Sequence, residues 1–247
     1  MPTSDAPLAL GIIGAGIMGE RLLGAIHGAA DSPVRVAAIW DPSPEALDRV
    51  GAAFPAVPRV ADSAAVVAAS DCVYVASPPA SHLGYARAAL AAGRSVFCEK
   101  PLATDRADAR AFVAEAGGAG AVNLPFASSP GVARSERAID VTLTAGGIPV
   151  TLTGRVGGVA ADDHNTWTLE GDAGAVRLRD WAIAERRGAD GRFEPEPDAI
   201  PNEKLRPITL RRQIEGVVRM ARGEPHHLAT FAEALDVQEV VEAILAL

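Results

Sequence analysis

The side chains best suited to chemistry sit where apolar strands end. Glu99-Lys100-Pro101 follows the run Ser95-Val96-Phe97-Cys98. A proline pushes the residue before it towards an extended backbone, which aims Lys100 across the crevice beyond the strand. Its ammonium can donate to a hydroxyl there or, with its pKa tuned by the surroundings, transfer a proton, while Glu99 balances its charge. A second strand end, Ser77-Pro78-Pro79-Ala80-Ser81-His82, puts His82 in the first turn of a helix, where the positive end of the helix dipole favours a neutral imidazole. His164, after Gly157-Gly158-Val159-Ala160-Ala161-Asp162-Asp163, is a further candidate for proton transfer, set against a plain polar residue at a strand end. His226 and His227 read as cap and surface. The two cysteines and five histidines lack metal-ligand spacing, so no metal is expected.

The lysine needs a partner to act on, and the start of the chain offers one. Leu8-Ala9-Leu10-Gly11-Ile12-Ile13 runs into Gly14-Ala15-Gly16-Ile17-Met18-Gly19, then into a helical stretch over 20–30. In such a turn Gly14 permits the tight bend, Gly16 admits a pyrophosphate to the backbone, and Gly19 lets helix and strand pack closely. The free N–H groups of the helix start then face the anion. Asp41 ends the next strand, 34–40, about 20 residues beyond the third glycine, where a carboxylate accepts from the ribose hydroxyls and repels a 2′-phosphate. Strand, glycine turn, helix and acid together point to dinucleotide binding, with NAD preferred to NADP. Ser77, Pro78 and Pro79, at a strand end, and Glu99, Lys100 and Pro101, at another, join the cofactor-binding set, as does His82.

The elements that must position these residues fall into two textures. Up to residue 126, strand and helix patterns alternate, as in a parallel sheet with crossover helices. Ser43 caps a helix starting at Pro44 and running to about 54; Asp62 caps 63–69; 71–76 is a buried strand; 81–92 is a helix stopped by Gly93. Thr104 or Asp105 caps a helix to about 116, and 121–126 is a last strand. Beyond Ala127-Ser128-Ser129-Pro130-Gly131 the period drops to two. Strands 138–144 and 150–156 flank Gly146-Gly147, strands 166–169 and 175–178 flank Gly171-Asp172-Ala173-Gly174, and Ala189-Asp190-Gly191 marks another turn. The proline-bearing stretch 194–207 reads as an extended connection, followed by helices over 208–223 and 227–247. The fold class is thus α/β: a Rossmann domain with a parallel sheet over 1–123, and an α+β domain with a mostly antiparallel open sheet over 124–247.

Composition bounds the partners. A net charge of −8 disfavours nucleic acid and anionic membranes, and no apolar run is long enough to span a bilayer. No leader is visible, and Cys72 and Cys98 fall in buried strands, so the expectation is a cytoplasmic protein with structural thiols.

Four stretches resemble the Gfo/Idh/MocA family of NAD(P)-dependent oxidoreductases: Gly14-Ala15-Gly16-Ile17-Met18-Gly19, Asp41, Ala76-Ser77-Pro78-Pro79-Ala80-Ser81-His82, and Val96-Phe97-Cys98-Glu99-Lys100-Pro101-Leu102. Leu169-Glu170-Gly171-Asp172-Ala173-Gly174-Ala175-Val176 and Glu233-Ala234-Leu235-Asp236-Val237-Gln238 are similar to later parts of the same family. The resemblance implies hydride transfer between nicotinamide and a small polar substrate of sugar or polyol type, or an imine. It implies Lys100 as the catalytic-site lysine, an open second sheet facing the nicotinamide, and a homo-oligomer, dimer or tetramer, formed through that sheet's outer surface. One departure stands out. Family members carry, after the first strand of the second domain, a helix whose histidine completes the proton relay; the path from Phe126 to Ala138 is too short for it, and the second domain reads as shortened. The rival expectation is therefore a non-catalytic NAD(H)-binding protein that has lost this helix.

Overall fold

The computed structural model describes residues 6–29, 31–116, 121–123, 138–155 and 165–245. They fall into two compact units, Met1–Val132 with Leu210–Leu247, and Ala133–Thr209.

The first unit is built on a parallel five-stranded sheet of order β2-β1-β3-β4-β5, from β1 (Leu8–Ile13), β2 (Val34–Trp40), β3 (Cys72–Val75), β4 (Ser95–Cys98) and β5 (Ala121–Asn123). The stretch near 57–60 contributes a single parallel bridge, Ile39 with Arg59, so it extends the sheet by one contact beyond β2. Strands this apolar must be covered on both faces, and alternation sorts their side chains. Leu8, Leu10, Ile12, Cys72, Tyr74 and Phe97 share one cluster with α1 (Ile17–His27) and α2 (Pro44–Ala53). Ile13, Val73, Val75, Val96 and Cys98 share the other with α3 (Ser63–Ala69), α4 (His82–Ala91) and α5 (Arg106–Ala116). The caps are those the sequence implies: Ser43 Oγ accepts from the Ala46 N–H (3.2 Å), Asp62 Oδ1 from Ala65 (2.7 Å) and Asp105 Oδ1 from Asp108 (2.9 Å).

In the second unit β6 (Ala138–Ala145) and β7 (Ile148–Arg155) form one antiparallel pair. The strands β8 (Thr166–Gly171), β9 (Gly174–Arg179), β10 (Ile183–Arg187) and β11 (Phe193–Pro195) form an antiparallel sheet in the order β11-β10-β9-β8. Its two faces differ sharply. On one, Trp167 opposes Leu178 and Leu169 opposes Val176. On the other, Arg177 and Arg179 both bind the Glu185 carboxylate (2.6 and 2.9 Å), and the Arg177 guanidinium lies 4.2 Å over the Phe193 ring.

Two helices differ from the sequence reading. α6 (Asn202–Ala221) begins six residues before position 208 and carries Pro207 inside it. The Pro201 carbonyl accepts from Lys204 and Leu205 (2.9 and 3.0 Å), so the first turn is already closed when the proline arrives; Pro207 then forgoes the bond to the carbonyl of residue 203 and crowds it, and the helix continues past it to Ala221. α7 (Phe231–Leu245) begins four residues after position 227, at a capping box: the Thr230 N–H donates to Glu233 Oε2 (2.7 Å) and the Glu233 N–H to Thr230 Oγ1 (3.2 Å). Both helices also fall differently by unit. Residues 210–247 group with the first unit, because Ile214, Val217, Val218 and Met220 join the α1–α2 cluster while Phe231 and Ala234 join the α3–α5 cluster.

Candidate functional site

The motifs read from sequence converge on the carboxyl edge of the parallel sheet, where the order around β1 reverses and open α/β sheets bind ligands. The glycine turn follows β1, Asp41 follows β2, the Ser77-Pro78-Pro79 turn follows β3, and Glu99-Lys100-Pro101 follows β4.

Each glycine of the turn meets a different demand. Gly14 has φ +111°, and a Cβ there would lie 2.5 Å from the Ala76 carbonyl carbon. A Cβ on Gly19 would collide with the Gly14 carbonyl oxygen. Gly16 caps α1 in an extended conformation, is exposed, and would place a Cβ within 4 Å of nothing. Two glycines are thus required by protein packing, while the third keeps open a space that no protein atom fills. Ala15 is buried, Met18 half-buried and Ile17 exposed beside that space. A cradle of this kind fits a pyrophosphate at the N-terminus of α1.

Asp41 is tied into the same turn. Its Oδ2 accepts from the Ala15 N–H and its Oδ1 from the Ser43 N–H, both at 2.8 Å, leaving further lone pairs for ribose hydroxyls. Arg49, on α2, donates from Nη2 to the Ala15 carbonyl (3.3 Å) and to Glu20 Oε1 (3.0 Å). The pairing with Glu20 occupies this guanidinium beside the turn.

Beyond β3, Ser77 and Pro79 are half-buried and Pro78 is exposed; the Ser81 hydroxyl donates to the Pro78 carbonyl and pairs with the Ser77 hydroxyl, each at 2.7 Å. His82, read as a helper at the crevice, is instead fully buried. Its Nδ1 meets the Pro101 carbonyl at 2.8 Å and its Nε2 the Ser77 carbonyl at 2.7 Å, so both ring nitrogens are taken up by the main chain. Neither nitrogen is open to a substrate or cofactor. His164 lies outside the described residues, as does the path from Phe126 towards Ala138.

Beyond β4, Glu99 is buried and accepts a 2.5 Å bond from the Tyr74 hydroxyl, and its Oε2 accepts from the Lys100 N–H at 3.3 Å. Tyr74 stacks on Phe97 with centroids 4.7 Å apart. Burial first, then the Glu99 charge, holds the Tyr74 phenol far above its ordinary value, so it remains the donor. Lys100 itself is exposed, with no hydrogen bond or ion pair from its ammonium among the described residues; Pro101, across a cis peptide, is buried. Sequence reasoning missed Tyr74. The signal was present, since a phenol inside an otherwise aliphatic buried strand must find a partner.

Cys72 and Cys98 are free and fully buried, and burial pushes the Cys72 thiol up to about 12 and the Cys98 thiol upward as well. Both are inert packing residues at neutral pH. Among the described residues no cluster of His, Cys, Asp or Glu could hold a metal, and no helix is long and apolar enough to cross a membrane.

The fold and the edge of its sheet define a dinucleotide-binding Rossmann domain. Residues 8–124 match the family model described as an oxidoreductase family with an NAD-binding Rossmann fold. The match to this Gfo/Idh/MocA family model lies wholly within the first unit and covers a little under half of the chain. No curated protein matches it by sequence. Among solved structures it is similar to a dehydrogenase, MviM, from Clostridium difficile (10% identity, 97% of this chain and 99% of that one, TM-score 0.78). It is also similar to an oxidoreductase from Agrobacterium radiobacter in complex with NAD+, L-tartaric acid and magnesium (19%, 98% and 96%, 0.73). A third similar structure is the WlbA dehydrogenase from Bordetella pertussis in complex with NADH and UDP-GlcNAcA (16%, 99% and 96%, 0.66). At these identities the likeness is one of fold.

Proposed function

We propose that the protein is an NAD-dependent oxidoreductase acting on a hydroxyl or carbonyl, or an imine, of a small polar substrate of sugar or polyol type. The nicotinamide, when bound, supplies or accepts the hydride. Gly14, Ala15, Gly16, Ile17, Met18 and Gly19 hold the pyrophosphate, and Asp41 the ribose hydroxyls, which favours NAD over NADP. Ser77, Pro78, Pro79, Glu99 and Pro101 line the remainder of the cofactor edge. Lys100 polarises the reacting oxygen and carries its proton. The observation that carries this reading is an exposed Lys100 after β4 at the same carboxyl edge as the glycine cradle after β1.

Calorimetric titration with NADH and NADPH tests it. NADH should bind at micromolar concentration and NADPH much more weakly; absence of binding by both at millimolar concentration overturns the reading. Gly16→Ala should melt as the parent does, since its Cβ meets nothing, yet lose about 30-fold or more in NADH affinity. Lys100→Ala should lose about 100-fold or more in turnover with cofactor affinity nearly unchanged.

The burial of His82 and the short path from Phe126 to Ala138 favour a second reading, a non-catalytic NAD(H)-binding protein. NADH binding without turnover across a panel of sugars, polyols and their keto forms would select it. Exposed Trp167, Leu169 and Val176 on one face of the second unit's sheet support a homo-oligomer, dimer or tetramer. Sedimentation of the parent and of Trp167→Glu reads this directly. The free thiols accord with a cytoplasmic setting.

A further inference from the structure

The segment that carries Lys100 is gripped at every second residue. Glu99 is held by Tyr74 from β3, at 2.5 Å. Pro101 is held by His82 from the start of α4, at 2.8 Å through its carbonyl. Ala103 is held by Gln238 from α7, whose Nε2 donates to its carbonyl at 3.2 Å. All three gripping side chains are buried, as are Glu99, Pro101, Leu102 and Ala103; Lys100 alone in this stretch is exposed.

The grips arrive from opposite faces of the sheet. Tyr74 belongs to the cluster shared with α1 and α2, and its ring is fixed by stacking on Phe97. His82 begins α4, and Gln238 lies on α7, both of which pack on the other face. The other nitrogen of His82 lies 2.7 Å from the Ser77 carbonyl, so one ring spans the loop after β3 and the loop after β4, donating to whichever carbonyl faces its N–H. Buried polar side chains are costly to place and need partners; three spent on five consecutive residues indicate a segment whose position is specified more tightly than packing alone would require. Substrate-positioning groups need such support, because a catalytic atom displaced by about 1 Å loses much of its effect.

We propose that Tyr74, His82 and Gln238 are positioning residues that clamp the 99–103 segment and so fix where Lys100 stands at the cofactor edge. This rests on the functional reading of Lys100 given above, but it can be tested without a substrate. The chain has two lysines, Lys100 and Lys204. Reductive methylation with 13C-formaldehyde keeps the charge of each and gives two lysine signals besides the amino terminus, with Lys204 as internal reference and Lys100→Arg for assignment.

In the full chain, Tyr74→Phe removes one hydroxyl and nothing else. Its Lys100 signal should move at least half-way towards its position in the urea-unfolded chain, or split, while the Lys204 signal stays and NADH affinity remains within about threefold. Gln238→Ala should produce a smaller displacement of the same kind, and His82→Ala a larger one. If Tyr74→Phe and Gln238→Ala melt cooperatively at lower temperature yet leave the Lys100 signal unmoved in position and width, the three residues serve stability alone and the proposal is overturned. Should His82→Ala fail to fold, the other two variants decide between clamp and stability. Failure of the unsubstituted protein to bind NADH removes the functional reading but leaves the Lys100 signal as a readout of the clamp.

Discussion

The two units solve the problem of a buried sheet in opposite ways. In the first, strands such as β1 and β3 are buried along their whole length, and polar groups occur where a strand ends. In the second, β8 is exposed throughout, and the sheet is held by cross-strand pairs and by two arginines converging on one buried carboxylate. A doubly covered sheet leaves its carboxyl edge as the place where chemistry can be exposed, and the candidate site of the first unit is there. A sheet with an open apolar face presents a surface instead.

The sharpest way to break this comparison is to make one substitution in both units. Gly14 and Gly174 both have positive φ, +111° and +129°, but Gly14 is enclosed by backbone and Gly174 by nothing within 4 Å. Gly14→Ala should cost about 4 kcal/mol, combining strain with overlap, and Gly174→Ala about 1.5 kcal/mol from strain alone. Chemical denaturation of both variants gives the two values, and equal losses would mean the units do not differ in this way.

Next in size is Glu185→Gln. Burial pushes this carboxyl up, but the bonds and charges of Arg179 and Arg177 outweigh it, leaving the group below its ordinary value of 4.5. A lowered carboxyl stabilises the fold fully above the ordinary value, and the contribution is lost as pH falls through the lower, folded one. The variant should therefore be less stable than the parent by about 2 kcal/mol at pH 7, and the gap should close below about pH 4.5. Hydrogen exchange of β9 and β10 amides across that range localises the effect to the second unit; a gap that widens on acidification would contradict it. The smallest effect is expected at the capping box of α7, where Thr230→Ala should cost about 1 kcal/mol and be seen in the melt of the first unit.

What the sequence made legible follows the range of the interaction involved. The glycine turn, the strand ends and the caps at Ser43, Asp62 and Asp105 are set by residues within a few positions of one another, and they lie where the pattern puts them. The start of α6 was hidden because Pro207 suggested a break, yet the helix runs through it from Asn202 to Ala221. The start of α7 lay in Thr230-Phe231-Ala232-Glu233, a capping box masked by the apolar periodicity around it. His82 could not be read from its neighbours. Its partners are the carbonyls of Ser77 and Pro101, the latter 19 residues away, and only the pairing of β3 with β4 brings those loops together. Tyr74 with Glu99, and Gln238 with Ala103, are hidden by still larger separations.

The return of residues 210–247 to the first unit has a consequence for synthesis on the ribosome. Chains emerge from their amino end and domains generally fold as they appear, but here the apolar surfaces awaiting Ile214, Val217, Val218 and Met220 on one side, and Phe231 and Ala234 on the other, stay uncovered while the whole second unit is translated. The nascent Rossmann sheet must therefore wait, partly bare, for its last two helices, and this interval is when the polypeptide is most open to chaperone capture and to self-association.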